Sequence, residues 1–114
     1  MEFSESLKKN DQFQAVYHTG KSYANKLFIM YIKNNDTARN RIGISVSKKV
    51  GNSVVRHRVT RLVRESYRLH EKMFNSGLDI VIIARPGAAT AKYAEVESAL
   101  LHLGKLHKII RKNM

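Results

Sequence analysis

Hydrophobic and polar positions along this chain alternate between two periods, and each change of period marks an element. Phe13, Val16 and Tyr17 stand at i, i+3 and i+4 and so share one helical face. Asn10 or Asp11 can cap this short helix over residues 12–17, and Gly20 ends it. Residues 1–8, ahead of it, read as a mobile lead-in. From Ser22 to Asn34 the pattern is extended, with Tyr23, Leu27, Phe28, Ile29, Met30, Tyr31 and Ile32 supplying the β-branched and aromatic content of a buried strand. Asn34-Asn35-Asp36-Thr37 is turn chemistry. Asn40 to Ser47 then alternates, with Ile42, Ile44 and Val46 on one face and Arg41, Gly43, Ser45 and Ser47 on the other. The short polar loop predicts that these two strands pair antiparallel.

At Ser53 the period becomes helical and stays so to about Phe74 or Asn75. At roughly 100° per residue, His57, Arg58, Arg64, Glu65 and Arg68 all fall within about 60° of Arg61. Val55, Val59, Leu62, Val63 and Tyr67 occupy the opposite side. The helix is amphipathic, with an apolar underside and an arginine stripe on top. Arg56 is off the stripe, at the margin of the buried face in the first turn. Asn75-Ser76-Gly77 stops the helix, and Leu78 to Ala84 is the strongest strand, apolar enough for a central place in a sheet. Arg85-Pro86-Gly87 turns the chain out. A last helix is predicted from about Tyr93 to Arg111, with Val96, Leu100, Leu103, Leu106 and Ile110 on one stripe. The order is helix, two or three strands, helix, strand, helix: one α/β (α+β) domain over residues 1–114, without repeats or linkers.

Charge changes this picture most. Lys and Arg number 21 against 9 Asp and Glu, a net +12. Ten of those cations lie between residues 39 and 72, opposed only by Glu65 and Glu71. Such an excess costs self-repulsion and points to a polyanionic partner. Arginine, preferred over lysine along the helix, suits bidentate contact with phosphate. The Gly51-Asn52 corner serves as a helix entry capped by Asn52; with Lys48 and Lys49 beside it, the same corner is an anion site. Phe13, Tyr17 and Tyr31 have spacings ordinary for a core, yet beside a basic strand end such rings can also stack the bases of a single strand. No stretch approaches the roughly 18 apolar residues of a membrane span, and the acidic start lacks the charge and apolar run of a signal peptide. Cysteine is absent, which excludes disulfides and thiolate metal sites. A cytoplasmic protein without a membrane partner fits best.

Catalysis by side chains has little support. His18, His57, His70, His102 and His107 lack metal-ligand spacing, and Glu95 and Glu97 point apart on a helix. There is no phosphate-binding glycine loop and no nucleophile elbow. Read from charge and composition alone, two function classes compete: a structural rRNA-binding ribosomal protein and a stand-alone nuclease. The latter has no carboxylate cluster to hold a metal.

The run Ile42-Gly43-Ile44-Ser45-Val46-Ser47-Lys48-Lys49-Val50-Gly51-Asn52-Ser53-Val54-Val55-Arg56-His57-Arg58, followed by Arg61, Arg64 and Glu65, closely resembles the signature of the bacterial ribonuclease P protein family. Leu7 to Phe13 looks like that family's first helix. Ser22-Tyr23-Ala24-Asn25 with Phe28, and Asp79 to Pro86, look like its strands. The likeness extends from about residue 7 to 110.

The resemblance implies an α-β-β-β-α-β-α two-layer sandwich, ribosomal-protein-S5-domain-2-like, with a left-handed β-α-β crossover through the arginine helix. It also implies a catalytic RNA as partner, a holoenzyme that removes the 5′ leader from precursor tRNA, and Mg²⁺ held mainly by that RNA. One protein per RNA is expected, with the protein binding the leader and strengthening substrate and metal affinity. By position, Lys48, Lys49, Asn52, Arg58, Arg61, Arg64 and Arg68 would approach the catalytic RNA. Phe13, Tyr17 and Tyr31, with Arg56 and His57, would line the leader cleft. No catalytic or metal-ligating side chain is expected in the protein. This chain departs from the family's usual Arg-Asn-Arg with Arg56-His57-Arg58, and Thr60 stands where a lysine is common.

Overall fold

The computed structural model describes residues 3–111. In chain order its elements are β1 (Ser4–Ser6), α1 (Asn10–Thr19), β2 (Lys21–Ala24), β3 (Phe28–Asn34), β4 (Asn40–Ser45), α2 (Ser53–His70), β5 (Leu78–Ala84) and α3 (Tyr93–Leu106). Short 3-10 turns follow α2 at Glu71–Met73 and β5 at Pro86–Thr90. The five strands form one sheet in the order β1-β4-β5-β3-β2. β5, the most apolar strand, takes the centre as its sequence demands.

The antiparallel pairing expected between β3 and β4 does not occur. β5 lies between them, antiparallel to β3 and parallel to β4. Inserted between them, β5 has both of its ladder sides paired, which suits the most apolar strand of the sheet. The connecting loop instead forms a polar clasp around the start of β5. Asn35 donates its backbone N–H to Gly77 O (2.9 Å), and its Nδ2 donates to Arg39 O (2.9 Å) and Asp79 Oδ1 (3.0 Å). Leu78 N donates to Asn40 Oδ1 at 2.9 Å. Gly77 closes the clasp at φ +79°, with Thr37 O 2.7 Å from where a Cβ would stand, so no other residue fits.

Other boundaries also moved. Within the expected lead-in, Ser4–Ser6 pair parallel with β4, and Ser4 Oγ shares a 2.7 Å hydrogen bond with the hydroxyl of buried Tyr67. α1 starts at Asn10 after cap residue Lys9, and the Gln12 amide, rather than Asn10 or Asp11, accepts from Lys8 and Lys9 N–H. The single extended stretch from Ser22 is a hairpin, because Asn25 Oδ1 accepts from both Leu27 N and Phe28 N and folds the chain. α3 ends at Leu106, short of Arg111. Lys108 adopts φ +59°, and the chain turns back so that Ile110 bridges Phe74 while Leu106 is exposed.

Strand alternation gives the sheet two faces. Phe28, Met30, Ile42, Ile80 and Ile82 face α2 and α3 and join Val59, Val63, Tyr67, Val96, Leu100 and Leu103 in the main core. On the reverse face α1 covers a smaller cluster of Leu7, Val16 and Val81 with Phe13, Tyr17, Tyr31 and Ile83 packed around it. The sheet with α2 and α3 makes the two layers, and α1 adds a partial cover behind. Because α2 connects adjacent parallel strands at the sheet centre, it is fixed at both ends.

Candidate nucleic-acid interface

The entry to α2 is built by local contacts. Val50 is buried in the main core and anchors the turn after β4. Gly51 follows because a Cβ there would stand 2.8 Å from Val55 Cγ1. Asn52 caps the helix, its Oδ1 accepting from Val55 N at 3.0 Å. This holds exposed Lys48 and Lys49 beside the open first turn of α2. Two exposed lysines thus shortly precede the positive end of the helix in the chain.

Along α2 the buried residues Val59, Val63, Ser66 and Tyr67 face the sheet and α3, while His57, Arg58, Arg61, Arg64 and Arg68 are exposed. The stripe is not uniform. Arg58 donates through Nη2 to Ala91 O (2.6 Å) and through Nη1 to Ala89 O (3.3 Å), tying α2 to the segment after β5. Arg68 donates to both oxygens of Glu65, at 2.5 and 3.1 Å. That pairing holds the Glu65 carboxyl below its ordinary range. No hydrogen bond or ion pair engages the guanidinium of Arg61 or Arg64 among the described residues. Thr60 turns its hydroxyl back to Arg56 O (2.9 Å), so it contributes nothing outward.

The reverse face carries the aromatic residues. Phe13 packs against β4, where a Cβ on Gly43 would come within 2.6 Å of its ring. Its centroid is 6.4 Å from Tyr17, and Tyr17 meets Tyr31 edge-on at 5.1 Å. All three rings are half-buried. Burial, then the neighbouring Tyr31, pushes the Tyr17 hydroxyl up against the opposing pull of Ser45. Ser45 ends β4, so this cluster leads toward the turn that carries Lys48 and Lys49.

The structure therefore gathers Phe13, Tyr17 and Tyr31 and separately aligns Arg58, Arg61, Arg64 and Arg68. Arg56 and His57 stand on the first turns of α2, and no hydrogen bond or ring contact joins them to the three rings among the described residues. Arg56 is half-buried, and its Nε is covered without a hydrogen-bond acceptor among the described residues.

Sequence reading missed the pair beneath the aromatic face. Arg41 Nε and Nη2 donate to Asp79 Oδ1 and Oδ2 at 2.8 and 2.6 Å. Burial drives the Asp79 carboxyl up, but its bonds to Arg41 and Asn35 outweigh that and hold it below its usual range. The available signal was a lone acid opening an apolar strand. Among the described residues no three His, Asp or Glu side chains gather to hold a metal, and Asp79 is committed to Arg41. No described helix is long and apolar enough to cross a membrane.

A family-wide sequence pattern described as Ribonuclease P matches residues 1–108. The chain belongs to the ribonuclease P protein family. It is 64% identical over 107 residues to the ribonuclease P protein component of Lachnoclostridium phytofermentans, covering 94% of this chain and 92% of that one. The RNase P protein structure from Staphylococcus aureus superposes with TM-score 0.87 at 37% identity, over 95% of this chain and 99% of that one. The Thermotoga maritima RNase P protein gives 0.82 at 30%, over 90% and 96%. Membership makes this chain the protein component of a tRNA-processing ribonuclease, with an RNA partner.

Proposed function

We propose that the chain assists a catalytic ribonuclease P RNA in removing the 5′ leader from precursor tRNA, with one protein per RNA, in the cytoplasm. The observation that carries this reading is the separation of two surfaces within one small domain. The α2 stripe, with Lys48, Lys49 and the Asn52 cap, offers exposed cations in a row on a rigid helix. These suit the folded backbone of the catalytic RNA, whose phosphates dominate affinity. The Phe13, Tyr17 and Tyr31 cluster offers ring faces and edges to unpaired bases, which suits a single-stranded leader. Arg56 and His57 stand on the first turns of α2 without touching the three rings, and in this reading the leader reaches them as it leaves the aromatic cluster; imidazole replaces the usual amide there by stacking or by a single hydrogen bond.

Hydrolysis of the phosphodiester belongs, in this reading, to the RNA and the Mg²⁺ it holds. The protein raises substrate and metal affinity by binding the leader and by offsetting phosphate repulsion. The test is cleavage of precursor tRNA by a bacterial ribonuclease P RNA at low Mg²⁺, with and without the protein. Stimulation that grows with leader length over the first few nucleotides is expected. No stimulation overturns the reading.

A further inference from the structure

A surface built only to gather phosphates has no use for a carboxylate, yet Glu65 sits in the middle of the arginine stripe. Its anion is fixed in place, since both oxygens accept from Arg68. Each oxygen keeps a lone pair free for a further donor. Arg58, close by, is held by the carbonyls of Ala89 and Ala91. Between them lies a shallow concavity of about 330 Å³ lined by Arg58, Arg61, Leu62 and Glu65. It combines cationic walls, an apolar side chain and one anchored anionic acceptor.

A phosphodiester has no proton to give Glu65 and is repelled by it. A nucleoside does have donors: the ribose 2′-hydroxyl and the base amino and imino groups. We propose that this notch takes one nucleotide of the bound RNA, Glu65 accepting a hydrogen bond from its ribose hydroxyl or base N–H while Arg58 and Arg61 meet the adjoining phosphate. Glu65 is then a specificity residue. It weakens purely electrostatic binding and strengthens binding to RNA that presents a donor at that point. The proposal rests on the reading of the α2 face as the surface for the catalytic RNA.

The sign of one measurement decides it. Affinity of the full-length protein for a bacterial ribonuclease P RNA and for single-stranded DNA of matched length is measured across a salt series, for the parent, Glu65→Gln and Glu65→Ala. Glu65 is exposed, so both variants fold, which a thermal melt checks. Losing a hydrogen bond to a charged acceptor makes Glu65→Ala bind the RNA about 10-fold more weakly, with Glu65→Gln between it and the parent. Both variants bind the DNA as tightly as the parent or more so. If both bind RNA and DNA more tightly by a common factor, Glu65 is only a like charge to phosphate and the notch is overturned, while the RNA-binding reading stands. A parent protein that prefers the RNA to the DNA by nothing overturns the underlying reading itself. RNAs carrying single 2′-deoxy or base-analogue substitutions then name the donor. The donating position is the one whose substitution weakens the parent but not Glu65→Ala, and the absence of any such position overturns the proposal.

Discussion

The two faces of the sheet pair packing with binding in opposite ways. On the α2 side, Val59, Val63 and Tyr67 are sunk in the main core while the arginines project from the far side of the same helix. On the proposed reading, stability and RNA contact there are carried by different side chains. On the α1 side, Phe13, Tyr17 and Tyr31 are at once part of the small reverse-face cluster and its accessible surface. One set of rings holds α1 down and, on the proposed reading, also meets the leader. Substitutions should therefore separate folding from binding on the first face and mix them on the second.

The largest effect expected lies in the main core. Leu103 is fully buried, and Leu103→Ala should cost about 3–4 kcal/mol of stability by urea titration. RNA affinity of the protein that remains folded in the cold should be unchanged. A loss of affinity in that folded fraction would break the claimed separation. On the reverse face, Tyr17→Ala should cost about 1–2 kcal/mol of stability through lost ring packing. It should also weaken binding of leader-bearing precursor by about 1–3 kcal/mol while sparing mature tRNA. Tyr17→Phe keeps the ring and should retain most of both. Equal losses for precursor and mature tRNA would remove the leader from this face.

Arg61→Ala tests the opposite case. Among the described residues nothing pairs with its guanidinium, so stability should stay within about 0.5 kcal/mol. Affinity for the catalytic RNA should fall, and the slope of log affinity against log salt should flatten by about 0.7–0.9 for the one lost phosphate contact. Arg58→Ala is the informative contrast, because it also releases Ala89 and Ala91 and so should disturb the segment after β5. A change of stability with Arg61→Ala as large as with Arg58→Ala would show that the stripe is uniform after all.

How much of this was legible beforehand follows the same division. Helical period alone placed Val59, Val63 and Tyr67 inside and Arg61, Arg64 and Arg68 outside, because each property belongs to a different residue. The central place of β5 was legible in its apolar run. Its neighbours were not, because loop length says which strands can pair but not that Asn35 and Asn40 would grip the start of β5. Whether Phe13, Tyr17 and Tyr31 were core or surface could not be read from spacing, and the structure shows that they are half of each. The Arg41–Asp79 pair was hidden for a related reason. Its partners are 38 residues apart and meet only through the β4–β5 register. The separate fates of Arg58 and Arg61 depend on carbonyls of Ala89 and Ala91, which leave no mark on a helical wheel.

The main face has one polar element whose effect should be the smallest, and it tests how closed that face is. His107, at the end of α3, donates through Nε2 to Met30 O at 2.8 Å on β3, taking the tautomer this bond requires, and packs edge-on to Tyr23 at 4.7 Å. Burial pushes its pKa below the ordinary 6.5 against the opposing pull of the Met30 bond, with a smaller push the same way from the Lys21 cation. Above that value the ring is neutral in folded and unfolded chains alike, so it adds no pH dependence. As pH falls below about 6.5 the unfolded chain takes up a proton that the folded one refuses, and stability declines until the folded pKa is reached, then levels. Urea midpoints measured from pH 7.5 downward should show this decline, and His107→Gln should remove its share. Unchanged curvature in His107→Gln would mean that water reaches the ring, and that the α3 end of the main core is as open as the aromatic face behind it.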